Sequence, residues 1–426
     1  MLPCSGSHGG SSGPPAIIPN ISRRPTLRPR PGRPERTWSG LPPRTSQGLS
    51  AAAPSGAPVP AEDPPKKRLT YAESGVDVEV EEAHIKKLVG ALGYARTSET
   101  GAPIAMPGGY AGLVRFGENA LVLCTDGVGS KVEIARALGR YDTVGIDCMA
   151  MNVNDALCVG AEPIAFVDYL AVEQHDTGFM EQVGSGLAAA AEMADVTIVG
   201  GETATLPGIV KGFDLAGTCL GWVAQDRILD GTKVQEGDTL IGLPSFGIHS
   251  NGYTLVRRIV EEERLAYTDP FPGHGLDAHT LGEVLLEPTR IYVRTIRALL
   301  SSELDVHGFA HVTGGGLMNL PRIAKGHRFV VSDPLKPQPV FDWLQEAGGV
   351  ETREMYRTFN MGMGFTAVVA ADDADDAVRV LRESSTAERP RLVALNQGEA
   401  PRVIGRVETG TGCLLEKEGL EFGSKT

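Results

Sequence analysis

No stretch of this 426-residue chain approaches the roughly 18 consecutive apolar residues that a bilayer-spanning helix needs. The longest weakly polar run, Gly184 to Ala191, suits an alanine-rich helix of ordinary length. Cysteine is sparse. Its six positions (Cys4, Cys124, Cys148, Cys158, Cys219 and Cys413) include no CxxC pair, which argues against a zinc site and a disulfide scaffold. Most lie in apolar runs, so reduced, buried thiols and a reducing compartment are expected. Neither a Walker A loop nor a GxGxxG fingerprint occurs. Positive charge is also short. The formal net charge is −13, and since residues 1–65 carry +4, the remainder carries −17. Such a body repels nucleic-acid phosphates, leaving room only for a local cationic pocket.

Hydrophobic residues make up 42% and charged residues 22%, the balance of a soluble globular protein, and the length suggests two or three domains. Residues 1–65 stand apart, with 15 of the 29 prolines and no hydrophobic periodicity. They cannot bury enough apolar surface to offset ordering entropy, so disorder is expected. Two readings of that segment stand: an organelle transit peptide, with a matrix or stromal location, or a translated upstream region ahead of a start near Lys66. A cytoplasmic location goes with the second.

From Leu69 onward, apolar strands alternate with helical patterns. Strands are expected at 120–124, 164–172, 196–199 and 215–223, with helices at 131–138, 143–159 and 178–193. Gly231, in the turn sequence DGTKVQEGD, marks a boundary. Beyond it, strands are expected at 239–243, 327–331, 364–370 and a last one at 402–407. Helices are expected at 252–262, 289–300, 340–347 and 372–382, the last N-capped by Asp372. The division is a 66–232 domain, a 233–413 domain and a 414–426 tail, in a mixed α/β fold.

The strongest local feature is TDGVGSK (125–131), between a strand and a helix. Alternating glycines let backbone N–H groups approach phosphate oxygens, Lys131 supplies a positive charge, and Asp126 suits a magnesium ion. The bland alternative is a tight turn with a solvated lysine. In the next helix, at about 100° per residue, Asp147, Asn154 and Asp155 share one face. Acids on an apolar helix are costly to bury unless paired or metal-bound, which favours a Mg-ATP site over a solvated stripe. GGET (200–203) reads equally as a phosphate-approaching turn or a packing bend. In GIHSNGY (247–253), Ser250 or Asn251 suits a helix cap, whereas His249 suits proton transfer. Three consecutive glycines, Gly314 to Gly316, point to close approach of a ligand or to a flexible loop.

In this order the segments resemble the aminoimidazole ribonucleotide synthetase, or phosphoribosylformylglycinamidine cyclo-ligase, family. The matching stretches are YAESGVDV (71–78), TDGVGSK (125–131), TVGIDCMAMNVNDALCVGAEPIAFVDYLA (143–171) and GGETATLPG (200–208). They continue with GIHSNGYTLVR (247–257), LLEPTRIYV (285–293), HGFAHVTGGGL (307–317) and EMYRTFNMGMG (354–364). The resemblance implies two α/β domains per subunit, with N-terminal strands forming a barrel shared across a homodimer. It implies a carbon–nitrogen ligase of purine biosynthesis, using ATP and Mg²⁺ to close the imidazole ring of formylglycinamidine ribonucleotide, with no nucleic-acid or membrane partner. On this reading Asp126, Asp147 and Asp155 hold magnesium. Asp126, Gly127, Gly129, Ser130, Lys131 and Asn154 bind ATP, and Lys131 and His249 are catalytic. Ser250, Asn251, Gly314, Gly315 and Gly316 bind substrate. Thr205 stands where the family usually has glutamate, and the loop GGYAGLVRF (108–116) has fewer glycines than its counterparts. The alternatives are a kinase of the thiamine monophosphate type and a non-catalytic dimeric nucleotide-binding protein. A selenophosphate synthetase needs a reactive cysteine before the glycine-rich loop, and only Cys4 precedes it.

Overall fold

The computed structural model describes residues 69–70, 75, 78–106, 109–395 and 398–423, the side chains of 78–83 excepted. The proline-rich segment 1–65 and most of YAESGVDV therefore lie outside the described residues. Residues 63–426 form one compact unit.

In chain order the first half comprises α1 (Val78–Ala91), β1 (Pro103–Ile104), β2 (Gly112–Phe116), β3 (Asn119–Gly127), α2 (Val132–Leu138), α3 (Val144–Leu157), β4 (Glu162–Val172), α4 (Thr177–Ala194), β5 (Thr197–Thr205) and β6 (Phe213–Ala224). These strands form one sheet in the order β1-β2-β3-β6-β4-β5, antiparallel except for β4 beside β5. Along β3, Ala120, Val122 and Cys124 point inward while Leu123 and Thr125 are exposed, the alternation of a sheet covered on one face.

The second half comprises β7 (Thr239–Pro244), α5 (Tyr253–Glu262), α6 (Leu281–Leu285), α7 (Val293–Leu300), β8 (Val306–His311), β9 (His327–Val331), α8 (Pro339–Gly348), α9 (Thr352–Thr358), β10 (Met363–Val369), α10 (Ala374–Ser385), β11 (Arg402–Thr409), β12 (Gly412–Leu415) and β13 (Leu420–Phe422). Its sheet runs β13-β12-β9-β11-β7-β10-β8. Strands β8 and β10 are buried at every residue, so they read as continuous rather than alternating runs. The two sheets change over between Ala224 and Thr239, where Gly231 takes φ +79° and a Cβ would stand 2.1 Å from the Ile323 carbonyl oxygen.

Helix α3 is the axis of the fold. All of its residues except Asp155 are buried, because it packs on β3 and β6, on α4, and on α7 and β8 of the second half. Glycines permit the close α3–α4 approach: a Cβ at Gly145 would lie 2.4 Å from the Leu187 amide nitrogen. The described cysteines, Cys124, Cys148, Cys158, Cys219 and Cys413, are all free and buried. Among the described residues no helix is long and apolar enough to cross a membrane.

Several expectations change. GGET is no turn. Gly200 and Gly201 lie inside β5, paired with Val167 and Asp168 of β4. The helix expected from Thr289 begins only at Val293, because the Thr289 and Tyr292 N–H groups bond to Asp147 and Asn154 of the first half. Asp372 caps nothing: a 3₁₀ turn over Ala371–Asp373 precedes α10, and Asp373 instead accepts the Asp305 N–H at 2.7 Å. The strand at 402–407 is not the last, since β12 and β13 extend the sheet through most of the expected tail. Strands β2 and β8 and helices α1, α6 and α9 were not anticipated. In β8 the sequence VHGFAH interrupts the apolar run with two histidines and a glycine.

Gly145→Ala should lower stability by about 1–3 kcal/mol through overpacking. Gly184→Ala, on α4 with nothing within 4 Å of a new Cβ, should leave it unchanged or slightly raised. Paired thermal melts check this, and equal melting temperatures would contradict the tight α3–α4 contact.

Candidate functional site

Because α3 is surrounded, its polar side chains must find partners inside the protein. Asp147 does so through one oxygen: Oδ1 accepts from Lys131 Nζ (2.9 Å), Ser250 Oγ (3.2 Å), Thr289 N (2.7 Å) and Thr289 Oγ1 (2.7 Å). Its Oδ2 is buried without a partner. Lys131 is fully buried, and its ammonium donates to Asp147, to His249 O (3.1 Å) and to Glu287 O (2.6 Å). An ammonium has three N–H groups, and all three are used. Burial pulls the lysine below its ordinary pKa, with Asp147 opposing. Asn154 Nδ2 donates to Arg290 O (2.8 Å), while its Oδ1 accepts the Tyr292 N–H (3.0 Å). These residues lock the first half of the chain to segments 249–250 and 287–292.

This geometry gives four of the expected ligand-binding side chains partners inside the protein. Lys131, expected at the ATP phosphates, has its ammonium engaged by Asp147, His249 O and Glu287 O. Asn154 and Ser250, expected at ATP and substrate, bond instead within the lock, and Asp147, expected at magnesium, spends Oδ1 there while Oδ2 stays buried and unpartnered. His249, expected to be catalytic, is enclosed as well. It is buried with φ +68°, and Nε2 accepts the Phe246 N–H at 3.2 Å, which places the ring proton on Nδ1. Nδ1 is itself buried and unpartnered. Burial holds the ring well below its ordinary pKa, aided by His311, Lys131 and Arg290, so it stays neutral.

Asp126 and Asp155 behave differently. Asp126, at the end of β3, is exposed, and its Oδ1 accepts the Gly127 N–H at 2.7 Å. The protein around it raises its carboxyl pKa, and the like charge of Asp155 raises it further, against the opposing pull of the Gly127 N–H. Asp155, the one α3 residue not fully buried, accepts from His311 Nδ1 at 2.8 Å, so β8 orients it. The strand register adds a third acid: Asp126 pairs with Gly217, Gly217 with Asp168, and Asp168 with Gly201. Burial raises the Asp168 carboxyl. The sequence reading missed Asp168, although it is the single acid in the apolar strand IAFVDYLAV. It also assigned no role to Glu287, Thr289, Arg290 or His311 inside their recognised stretches. Among the described residues no three His, Cys, Asp or Glu side chains already converge as a metal cage.

The loops divide similarly. Gly129, at φ +71°, is exposed beside the Ser250 backbone, Gly127 is half-buried, and Ser130 Oγ meets Thr254 Oγ1 at 3.2 Å. Asn251 and Gly314 are brought together, a Cβ on Gly314 standing 3.0 Å from Asn251 Oδ1. Gly315 takes φ +98°. Gly316 is a packing glycine, because a Cβ would lie 2.0 Å from the Tyr356 carbonyl oxygen. The Thr205 hydroxyl meets His175 Nε2 at 2.6 Å.

Residues 108–223 match the family described as AIR synthase related protein, N-terminal domain, and residues 235–389 match the corresponding C-terminal domain. The phosphoribosylformylglycinamidine cyclo-ligase of Methanosarcina barkeri is 56% identical over 316 residues, 74% of this chain and 93% of the relative. That of Pyrococcus furiosus is 43% identical, over 78% of this chain and 98% of the relative. Among solved structures, AaThiL complexed with AMPPCP and TMP aligns with TM-score 0.53 at 14% identity, over 82% of this chain and 97% of that one. Thiamine-monophosphate kinase from Stenotrophomonas maltophilia gives 0.52 at 19%, over 83% and 100%. These two likenesses show the fold alone.

Lys131→Met leaves Asp147 buried without its cation and should cost about 3–5 kcal/mol, read from denaturant midpoints. A loss below about 1 kcal/mol would remove the lock. His249 supplies a pH test. The unfolded chain takes a proton near pH 6.5 that the native ring refuses, so the unfolded state binds more protons below that pH. Stability should therefore fall as pH drops from 7 to 5. His249→Asn, which tolerates positive φ, should flatten that slope.

Proposed function

This chain belongs to the AIR synthase related family, and on that premise we propose that it is a phosphoribosylformylglycinamidine cyclo-ligase acting in purine biosynthesis. The reaction consumes ATP and formylglycinamidine ribonucleotide and yields aminoimidazole ribonucleotide, ADP and phosphate. An amide oxygen is a poor leaving group. Transfer of the γ-phosphoryl group to the formyl oxygen makes phosphate the departing group. A nitrogen of the same substrate then attacks the formyl carbon, the carbon–oxygen bond breaks, and ring closure releases a proton. The protein's task is alignment and charge neutralisation more than covalent chemistry.

The observation that carries the site assignment is the meeting of the end of β3 with α3, where Asn152 donates to the Asp126 backbone oxygen at 3.1 Å and the charge of Asp155, three residues on, helps raise the Asp126 carboxyl. Oxygen donors crowded in this way suit Mg²⁺, which commonly takes one or two carboxylates plus water and substrate phosphates rather than a full protein cage. Asp126 and Asp155 would hold the ion, with Asp168 across the sheet beside them, and bound Mg²⁺ would neutralise charge on the phosphates. His311 fixes the Asp155 carboxylate through its 2.8 Å bond. The Gly127 and Gly129 backbone would approach the ATP phosphates. Asn251, Gly314 and Gly315 would face the ribonucleotide. Lys131, Asp147, Asn154 and Ser250 serve by holding the two halves in register, not by touching a ligand.

A homodimer through the first sheet is part of the proposal. Its outer face carries Leu123 (48% exposed), Tyr169 (45%), Val199 (64%) and Trp222 (38%), a contiguous apolar surface of the kind that marks an interface.

Asp126→Asn and Asp155→Asn should each raise the Mg²⁺ concentration for half-maximal ADP release at least about tenfold, with melting temperatures near that of the parent. Unchanged magnesium dependence in both would sink the metal assignment while leaving the cyclo-ligase reading intact. Leu123→Glu combined with Tyr169→Glu should halve the mass seen by sedimentation equilibrium. A mass equal to the parent's would exclude this face as the interface.

A further inference from the structure

A cavity of about 340 Å³ lies between the halves of the chain, lined by Glu287 and Thr289 of the lock and by neither Asp126 nor Asp155. Ile146 borders it near the start of α3, nine residues from Asp155, so the two places are about 13 Å apart along the helix. The volume falls at the lower end of the range for small-molecule sites. We infer that this cavity binds an organic anion with a planar or apolar body and a single phosphate or carboxylate.

The apolar walls come from both halves. Ile146, Ala189 and Met193 face it from α3 and α4, and Phe246 and Ile291 face it from the second half. The cationic component rests on which charges are already spent. Arg290 is consumed: Nε and Nη2 bond Glu388 at 2.8 and 2.7 Å, Nη1 donates to Pro244 O at 2.8 Å, and the guanidinium lies against Phe246 and Tyr292. It forms a fixed wall. Glu388 is spent on Arg290 and Thr295, and Glu287 is spent on the Arg391 and Leu392 N–H groups. Arg391 is paired with Asp142.

Two lining charges remain. Arg389 is exposed and, among the described residues, has no hydrogen-bond or ion-pair partner. Arg294 donates only to the Glu192 carbonyl oxygen, at 2.7 Å, and no carboxylate balances it. In a body carrying −17, an apolar chamber whose acids are internally consumed while Arg294 and Arg389 are not is a local positive island. Guanidinium groups offer planar, forked donors suited to carboxylate and phosphate, and the chamber beside them accepts the apolar remainder.

An occupant would also touch the lock. Residues 287–291 line the cavity, while the backbone of 287–292 holds Lys131 through Glu287 O, Asp147 through Thr289 N, and Asn154 through Arg290 O and Tyr292 N.

Calorimetric titration of the full chain with phenyl phosphate, inorganic phosphate and phenol tests this. Phenyl phosphate should bind saturably, one per chain, at least about tenfold more tightly than either of the others. Excess Mg-ATP should leave that binding unchanged. Arg294→Gln with Arg389→Gln, both at exposed positions, should weaken it about tenfold or more. Met193→Trp, from a residue 38% exposed, should block it by filling the chamber, with the melting temperature confirming a folded protein. The proposal is overturned by any of four results: no saturable binding at millimolar phenyl phosphate, equal binding of inorganic phosphate, displacement by Mg-ATP, or binding unaffected by both variants.

Discussion

Lys131 and Asp147 form an ion pair with no access to water, and the placement of every other functional group depends on it. Burying two charges is expensive unless their remaining donors and acceptors are met. Here they are met by backbone and hydroxyl groups from distant segments: His249 O, Glu287 O, Ser250 and Thr289. The pair therefore does not simply stabilise one domain. It sets which loop of the second half lies against which turn of α3, and so where Asp155 meets His311. An apolar replacement of similar volume could restore stability, but it would not specify that register.

The arrangement divides labour along one helix. On its buried side α3 carries Asp147 and Asn154, which bond to segments of the second half. Near its end it carries Asp155, half-buried and oriented by His311. Charges held inside the protein cannot also serve a ligand, whereas crowded, exposed ones gain from a cation. The same distinction separates Gly316, required by packing, from Gly314 and Gly315, which remain accessible.

Much of the fold was legible because period-two and period-3.6 patterns are local. The strand at 327–331 and the helices around 178–193 and 340–347 came out with errors of a residue or two. What failed was non-local. GGET looks like a turn until β4 is known to lie beside it, and VHGFAH looks broken until both faces of β8 are covered. The site shows the same division. Asp126 and Asp155 were readable as acids in a glycine-rich and apolar setting. For Lys131, His249 and Asn154 the residue types suggest chemistry, but their burial and internal partners were not legible, because burial depends on segments more than 100 residues away. Asp168 was within reach of sequence reasoning, as an acid in an otherwise apolar strand.

The five buried thiols carry a different consequence. Burial pushes Cys219 and Cys413 up to about 12 and raises Cys124, Cys148 and Cys158 as well, so none supplies an appreciable thiolate in the folded chain. Alkylation can then proceed only through opening, which makes each cysteine a clock for the region around it. Cys124 and Cys219 time the first sheet, Cys148 and Cys158 the central helix and its end, and Cys413 the far edge of the second sheet. Labelling rates compared across them would show whether the two halves open together or separately, without any added probe.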